Sequence, residues 1–343
     1  MRLPRIKSDG IAHYHCLSRI VGQEHVFGDV EKEFFVNLLQ KLKVFHGIEI
    51  LTYCVMSNHF HLLLEIPDAF TTAGLDREEI IRRVGILYGR DAVEALRGEL
   101  SRVGAIQRPR REEEIFDRYR RQMGDLSVFM KQLKQRFSIW FNRRTGRKGT
   151  LWEDRFKSLL VEGDDKALLT VAAYIDLNPL RAGMVTRIED YRWCGYASAV
   201  AGDHEARRGL GRIFDRAYWV SGDDYAASWE DAGASYRLLL YGEGEIREFV
   251  EPGGRPHRPG FTREQFQEAI ARGGKLPLSQ LLRLRVRYLS DGVVLGSAVF
   301  VEEVFERNRA LFGSRRNSGA RRMRGADWGD LRVIRDLRTD PFA

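Results

Sequence analysis

The chain has 343 residues, enough for a sizeable core in two domains or one elaborated domain. Its 43% apolar and 30% charged content excludes a disordered or fibrous class. Lys and Arg number 56 against 48 Asp and Glu, and the net charge of +8 suits a polyanionic partner such as nucleic acid as well as it suits a merely basic surface.

Cys16, Cys54 and Cys194 are widely spaced and form no CxxC pair, which points to a reduced, cytoplasmic protein without a disulfide framework. The opening "MRLPRIKSDGIAHYH" lacks the apolar stretch of a secretion signal. No run approaches the roughly 18 apolar residues of a membrane span, so no membrane partner is expected.

"IAHYHCLSR" at 11–19 alternates in the manner of a strand. In "DVEKEFFVNLLQKLKVFHG", Phe34, Phe35, Leu38, Leu39 and Leu42 fall at helical spacing, and Gly47 is placed to end the helix. "IEILTYCVM" and "HFHLLLEI" read as two strands joined by a tight turn at "SN". From 68 to about 125 the sequence turns into charged amphipathic helices with no strand among them, an insertion in the domain. Another helix follows in "LSVFMKQLKQRFSIWFNRRTGRKG", with Phe129, Leu133, Phe137, Trp140 and Phe141 as its apolar stripe. "GTLWEDRFKSLLVEG" reads as extended, and "DDKALLTVAAYIDLNP" as a helix capped by Asp164 or Asp165 and stopped by Pro179.

The order β-α-β-β-α-β-α implies an α+β fold, an antiparallel sheet with helices on one face. These elements fill a domain over residues 1–200, and a mainly helical C-terminal region takes 201–343. Within that region "FTREQFQEAIARGG" has Thr262 and Gln265 in capping-box spacing, and "LPLSQLLRLRVRYLSDG" and "SAVFVEEVFERNRALFG" read as two more helices.

On a strand, residues two apart share a face, so His59 and His61 lie side by side with Leu63 and Glu65, while Phe60, Leu62, Leu64 and Ile66 turn to the core. Such a pair is either a hydrogen-bonded feature of the core or a place to hold a divalent metal. His13 and His15 share the same spacing and are read as histidines bonded to neighbours. Tyr174 and Asn178 are four apart, one turn above the other on a helix, off the centre of the stripe made by Leu168, Val171, Ala172 and Ile175. In isolation they are a half-buried packing tyrosine and a helix-ending asparagine.

In combination these stretches resemble the HUH single-strand endonucleases, and more narrowly the Y1 tyrosine transposases of the IS200 type and the REP-associated tyrosine transposases. The resemblance rests on "IAHYHCLSR", "ILTYCVMSNHFHLLLEIP", "FMKQLKQRFSIWFNRRTGRKGTLWEDRFKSLLVE" and "TVAAYIDLNPLRAGMV", in that order over most of residues 10–200. It implies a ferredoxin-like antiparallel sheet of the HUH kind, Tyr174 as the nucleophile, and His59, His61 and Asn178 as ligands of Mg²⁺ or Mn²⁺. A tyrosine phenol titrates near about 10 and must lose its proton during attack, which a nearby metal assists. The implied products are a 5′-phosphotyrosine and a free 3′-OH.

The implied partner is single-stranded DNA, including strands that fold into hairpins, and a homodimer is compatible with the pattern. Lys131, Lys134, Arg143, Arg144, Arg147, Lys148, Arg155 and Lys157 are the candidates for phosphate contact, and Trp152 for stacking on a base or packing in the core. The insertion and the C-terminal region depart from the resemblance. The readings are thus a transposase-like DNA nicking and strand-transfer enzyme, a catalytically silent DNA-binding relative, and a metal-dependent small-molecule hydrolase. The last is the weakest, because only His204 and His257 follow His61.

Overall fold

The computed structural model describes residues 5–8, 10–103, 108–214, 225–241, 282, 286–325 and 327–334. The expected helix over 261–274 and the first part of the next one lie outside the described residues.

Strand β1 (Ala12–Arg19) leads into helix α1 (Asp29–His46), then β2 (Glu49–Val55) and β3 (His59–Ile66). Gly47 ends α1 in the left-handed region at φ 66°, where a Cβ would be strained. The β2–β3 turn is Met56 to Asn58, closed by the Met56 N–H donating to the His59 carbonyl at 2.8 Å. The insertion holds α2 (Ala69–Ala73), α3 (Arg77–Tyr88), α4 (Arg90–Ser101) and α5 (Arg108–Arg120). It packs through Ile80, Val84 and Leu87 of α3 and through Phe116 of α5 into the core on the α1 side.

Helix α6 (Leu126–Thr145) starts at Asp125, whose carboxylate accepts from the Ser127 and Val128 amides, and ends at Gly146 with φ 70°. Strand β4 (Lys157–Val161) and helix α7 (Asp165–Asp176) follow, α7 capped by Asp164 accepting from the Ala167 amide. The expected stop at Pro179 falls earlier. Helix α7 ends at Asp176, and a short helix α8 (Asn178–Arg181) restarts with Pro179 in its first turn. A proline lacks the N–H needed to continue a helix but is tolerated in a first turn, where that N–H would have no partner.

The four main strands run in the order β2-β3-β1-β4, each antiparallel to its neighbour. This is the order of a ferredoxin-like sheet. Because facing residues share a side, the register sorts the strands into two faces. Tyr14, Cys16, Phe60, Leu62 and Leu64 pack against α1 and α6. Leu51, Cys54, Leu63, Leu159 and Val161 pack in a second core with Leu168, Val171, Ala172 and Ile175 of α7.

Helix α9 (Gly195–Val200) closes the first 200 residues, and the C-terminal region is mainly helical, with α10 (His204–Phe214), α11 (Tyr225–Tyr241), α12 (Arg287–Asp291) and α13 (Ala298–Arg307). It also adds β5 (Val294–Gly296), β6 (Arg321–Arg322) and β7 (Arg332–Ile334), making, among the described residues, a seven-stranded sheet in the order β2-β3-β1-β4-β5-β7-β6. Strands of two or three residues are too short for alternation to register in the sequence. Helix α10 lies close on β2, since a Cβ at Gly209 would come within 2.2 Å of the Ile50 carbonyl oxygen.

His46, at the end of α1, is buried edge-on to Phe45 and Phe129, with Nε2 bonded to Gln132 Oε1 at 3.3 Å. Burial pulls its pKa from 6.5 down to about 4. The unfolded chain therefore binds more protons here, and the folded state loses stability as pH falls from 6.5 toward 4. His46→Phe should shrink the drop in unfolding free energy between pH 7 and pH 5 by up to about 2 kcal/mol, read from urea denaturation at the two pH values.

Candidate active site

The second face of the sheet carries the chemistry. Along β1 and β3 the pairs Arg19↔His59, Leu17↔His61, His15↔Leu63 and His13↔Glu65 all point to it. Helix α7 crosses this face and sets Tyr174 over the two strands. The ring centroids of His59 and His61 lie 5.1 Å apart, and that of Tyr174 is 6.0 Å from His61. The structure thus brings together His59, His61 and Tyr174 from two stretches of sequence more than a hundred residues apart.

His15 joins them. Its ring stacks on His61 with centroids 5.0 Å apart and stands edge-on to Tyr174 at 6.1 Å. His15 Nε2 bonds His61 Nδ1 at 2.8 Å, and its Nδ1 donates to the Leu289 carbonyl at 2.8 Å. Burial brings the His15 pKa from 6.5 to about 4, assisted by the nearby Arg181 charge. His61 is pushed well below its usual value, first by burial and then by His15, His59 and Arg181. Both rings are neutral at pH 7. His13 instead bonds the Glu65 carboxylate at 3.1 Å, as expected of a histidine tied to a neighbour.

Arg181 also lies at the site and is not among the candidates that the sequence offers. Its guanidinium sits 4.2 Å from the centre of the Tyr174 ring, donating to the Tyr174 carbonyl at 3.1 Å and to the Leu282 carbonyl at 2.7 Å. A cation over an aromatic face is attracted by the ring's π electrons, and more so once the ring gains negative charge. The signal was present, since seven residues are two helical turns and Arg181 follows Tyr174 by seven.

Asn178 closes the end of α7. Its amide Nδ2 donates to the carbonyls of Tyr174 at 3.2 Å and Ile175 at 3.1 Å. Its Oδ1 is therefore the end left to accept or to ligate. Two residues earlier Asp176 is buried, accepting from Thr52 Oγ1 at 2.9 Å, Tyr236 OH at 2.7 Å and the Tyr196 amide at 3.3 Å. Burial raises its pKa to about 7 against the pull of those donors. This network ties α7 to β2 and α11 and holds the helix carrying Tyr174 in place.

Among the described residues no three or more His, Cys, Asp or Glu gather as a metal cage. The candidate donors are the two imidazoles, which the sheet places side by side, and the Asn178 amide oxygen at the end of α7. In His61 and His59 the Nδ1 atoms are taken by hydrogen bonds, the second to Asn58 Oδ1 at 2.7 Å. That pattern leaves Nε2 as the nitrogen with a lone pair, as in protein-bound metal centres. This mixed nitrogen and oxygen set fits a divalent ion whose remaining positions go to water or phosphate oxygens.

The basic candidates divide by position. Lys131, Lys134, Arg143 and Arg144 belong to α6, on the face opposite Tyr174. Lys134 donates to the Asp154 carbonyl at 2.7 Å, and Arg144 lies 3.4 Å from Glu31. Arg147 pairs with Glu24, while Lys131, Arg143 and Lys148 are exposed and form no salt bridge among the described residues. Arg155 and Lys157 lie nearer the histidines. The Glu153 amide donates to the Arg19 carbonyl, and Lys157 faces Leu17, which faces His61 on its other side. Lys157 also reaches Asp291 at 2.5 Å. Trp152 is buried against Phe27, Phe60 and Phe137, its indole N–H donating to Ser138 Oγ at 2.8 Å, so it packs in the core. Trp140 is half-buried, stacked on Phe34 at 3.9 Å. No described helix is long and apolar enough to cross a membrane.

Residues 11–75 match the family described as "Transposase IS200 like". That span runs from β1 to just past α2 and includes His59 and His61 but not Tyr174. No curated protein matches the chain. A solved structure described as a REP-associated tyrosine transposase bound to a REP hairpin shares 15% identity with it, over 65% of this chain and 96% of the other, with a TM-score of 0.38. The first part of this chain is thus similar to IS200-like transposases, and the α+β architecture around it is consistent with an HUH-like fold.

Proposed function

We propose that the chain is a metal-dependent enzyme that nicks single-stranded DNA and transfers the strand through a 5′-phosphotyrosine at Tyr174. The observation that carries this reading is the convergence of His59, His61 and Tyr174, with ring centroids 5.1 and 6.0 Å apart. The match of residues 11–75 to IS200-like transposases supports it. His59, His61 and Oδ1 of Asn178 would hold Mg²⁺ or Mn²⁺, which when bound polarises the scissile phosphate and offsets its charge.

The remaining steps belong to the protein. The Tyr174 oxygen attacks phosphorus, the bond to the 3′ oxygen breaks, and the phenol proton passes through solvent to that departing oxygen, which leaves as a 3′-OH. Arg181 over the ring stabilises the charge that builds on the phenol oxygen during attack. The tyrosyl ester keeps the phosphodiester's energy, so a 3′-OH reverses the step and rejoins a strand. Arg155 and Lys157, at the histidine end of the sheet, hold the phosphates beside the cleaved bond. Lys148, Arg147, Lys131, Lys134, Arg143 and Arg144 extend the basic track away from it. A hairpin-forming strand and a homodimer are compatible with this arrangement.

A second reading, a catalytically silent DNA-binding relative, is favoured by the burial of Tyr174, which is 2% exposed. Under the first reading, α7 and α8 must uncover the ring before attack.

Labelled single-stranded DNA carrying a hairpin, incubated with Mg²⁺ or Mn²⁺, should become covalently attached to the wild-type protein, with the adduct mapping to Tyr174. Tyr174→Phe and chelation by EDTA should each abolish it. An equal adduct from Tyr174→Phe moves the nucleophile elsewhere, and DNA binding without any adduct selects the silent relative. In salt titrations of binding, Arg155→Gln with Lys157→Gln should lower the slope of log K against log salt by about 0.7 per lost phosphate contact. Lys131→Gln with Arg143→Gln should weaken binding less, being farther from the histidines.

A further inference from the structure

The hydrogen bonds around His61 form a chain with one fixed end. A backbone carbonyl accepts and never donates, so the bond between His15 Nδ1 and the Leu289 carbonyl, at 2.8 Å, puts a proton on His15 Nδ1. A neutral imidazole carries one proton, so His15 Nε2 holds a lone pair. At 2.8 Å from that lone pair, His61 Nδ1 must be the donor. His61 Nε2 is then the nitrogen that bears a lone pair.

We propose that His15 is a positioning residue that fixes His61 in its Nδ1–H tautomer, reserving Nε2 for a divalent metal, and that the Leu289 carbonyl in the C-terminal region sets the direction of the relay. The metal part of this rests on the function proposed above, whereas the tautomer does not. Without a partner of fixed direction, a neutral imidazole in water prefers to carry its proton on Nε2, the nitrogen a metal needs. The relay removes that competition before any metal arrives, and the stacking of the two rings, centroids 5.0 Å apart, fixes the plane of His61 as well.

The relay also gives the C-terminal region a role in the site. Leu289 belongs to α12, which precedes the added strand β5 in the chain. Its carbonyl lies 274 residues along the chain from His15, so the directing group depends on the whole fold.

The direct test is the nitrogen NMR spectrum of histidine-labelled, metal-free protein without DNA. His61 is expected as the Nδ1–H tautomer, and a His61 found protonated on Nε2 overturns the proposal. His15→Phe keeps a flat ring but has no acceptor. It should shift His61 toward the Nε2–H form and weaken Mn²⁺ binding, measured by calorimetry, roughly 10–100-fold. His15→Gln supplies an amide N–H for the carbonyl and an oxygen for His61, and should restore much of both. A His15→Phe protein that folds as wild type, yet keeps the His61 tautomer and Mn²⁺ affinity, also overturns it. Since the tautomer is read without metal or DNA, an absent Tyr174 adduct would sink the proposed function and leave this result standing.

Discussion

Antiparallel pairing of β1 with β3, in the register that runs from Ala12↔Ile66 to Arg19↔His59, is the constraint on which the rest of this protein depends. Side chains alternate across a strand, so the pairing puts every odd-numbered residue from His13 to Arg19 on the same face as the odd-numbered residues from His59 to Glu65. A slip of one residue would exchange the faces and bury the imidazoles among the phenylalanines under α1 and α6. Apolar burial on that first face resists the slip. Phe35, Phe60, Phe137 and Trp152 pack together there, and exposing them would cost several kcal/mol.

The two faces divide the labour. The first face is a large aromatic and aliphatic core, with the helical insertion added outside α1. Because the insertion leans on α1, it sits away from Tyr174, which argues for elaboration of the scaffold over a lid on the site. The second face is covered by α7, α10 and the C-terminal region, and its core is interrupted by polar groups that are almost all bonded. Asp176 with Thr52, Tyr236 and the Tyr196 amide is one such network, and His61 with His15 and the Leu289 carbonyl is another. Buried polar groups left without partners are costly, so these networks also specify how α7 and the C-terminal region dock.

The basic surface gains order from the same register. Net charge says little about where a polyanion would lie. The sheet places Lys157 in the row that holds Leu17 and His61, and the preceding loop runs beside Arg19. By contrast, the arginines and lysines of α6 are separated from the histidines by the thickness of the sheet. Two of them are already engaged, Arg144 with Glu31 and Lys134 with the Asp154 carbonyl, and Arg147 just beyond the helix pairs with Glu24.

Much was legible in the sequence because it depends on local rules. Alternation in "HFHLLLEI" was enough to pair His59 with His61 on one face and to turn Phe60, Leu62 and Leu64 to the core. Apolar spacing located α1, α6 and α7, and Gly47 and Asp164 marked an end of α1 and of α7, since such residues act on groups within a few positions of themselves. Other features were decided by contacts between distant segments. Pro179 reads as a stop, yet the chain bends and restarts there, with Asn178 and Arg181 bonded to carbonyls at the end of α7. Strands β5 to β7 are too short to carry a pattern and exist because β4 offers an edge to pair with. His15 reads alone as a histidine tied to some neighbour. That the neighbour is His61, and that the carbonyl directing it is Leu289, follows from the register of two strands and the docking of the C-terminal region, which no local pattern encodes.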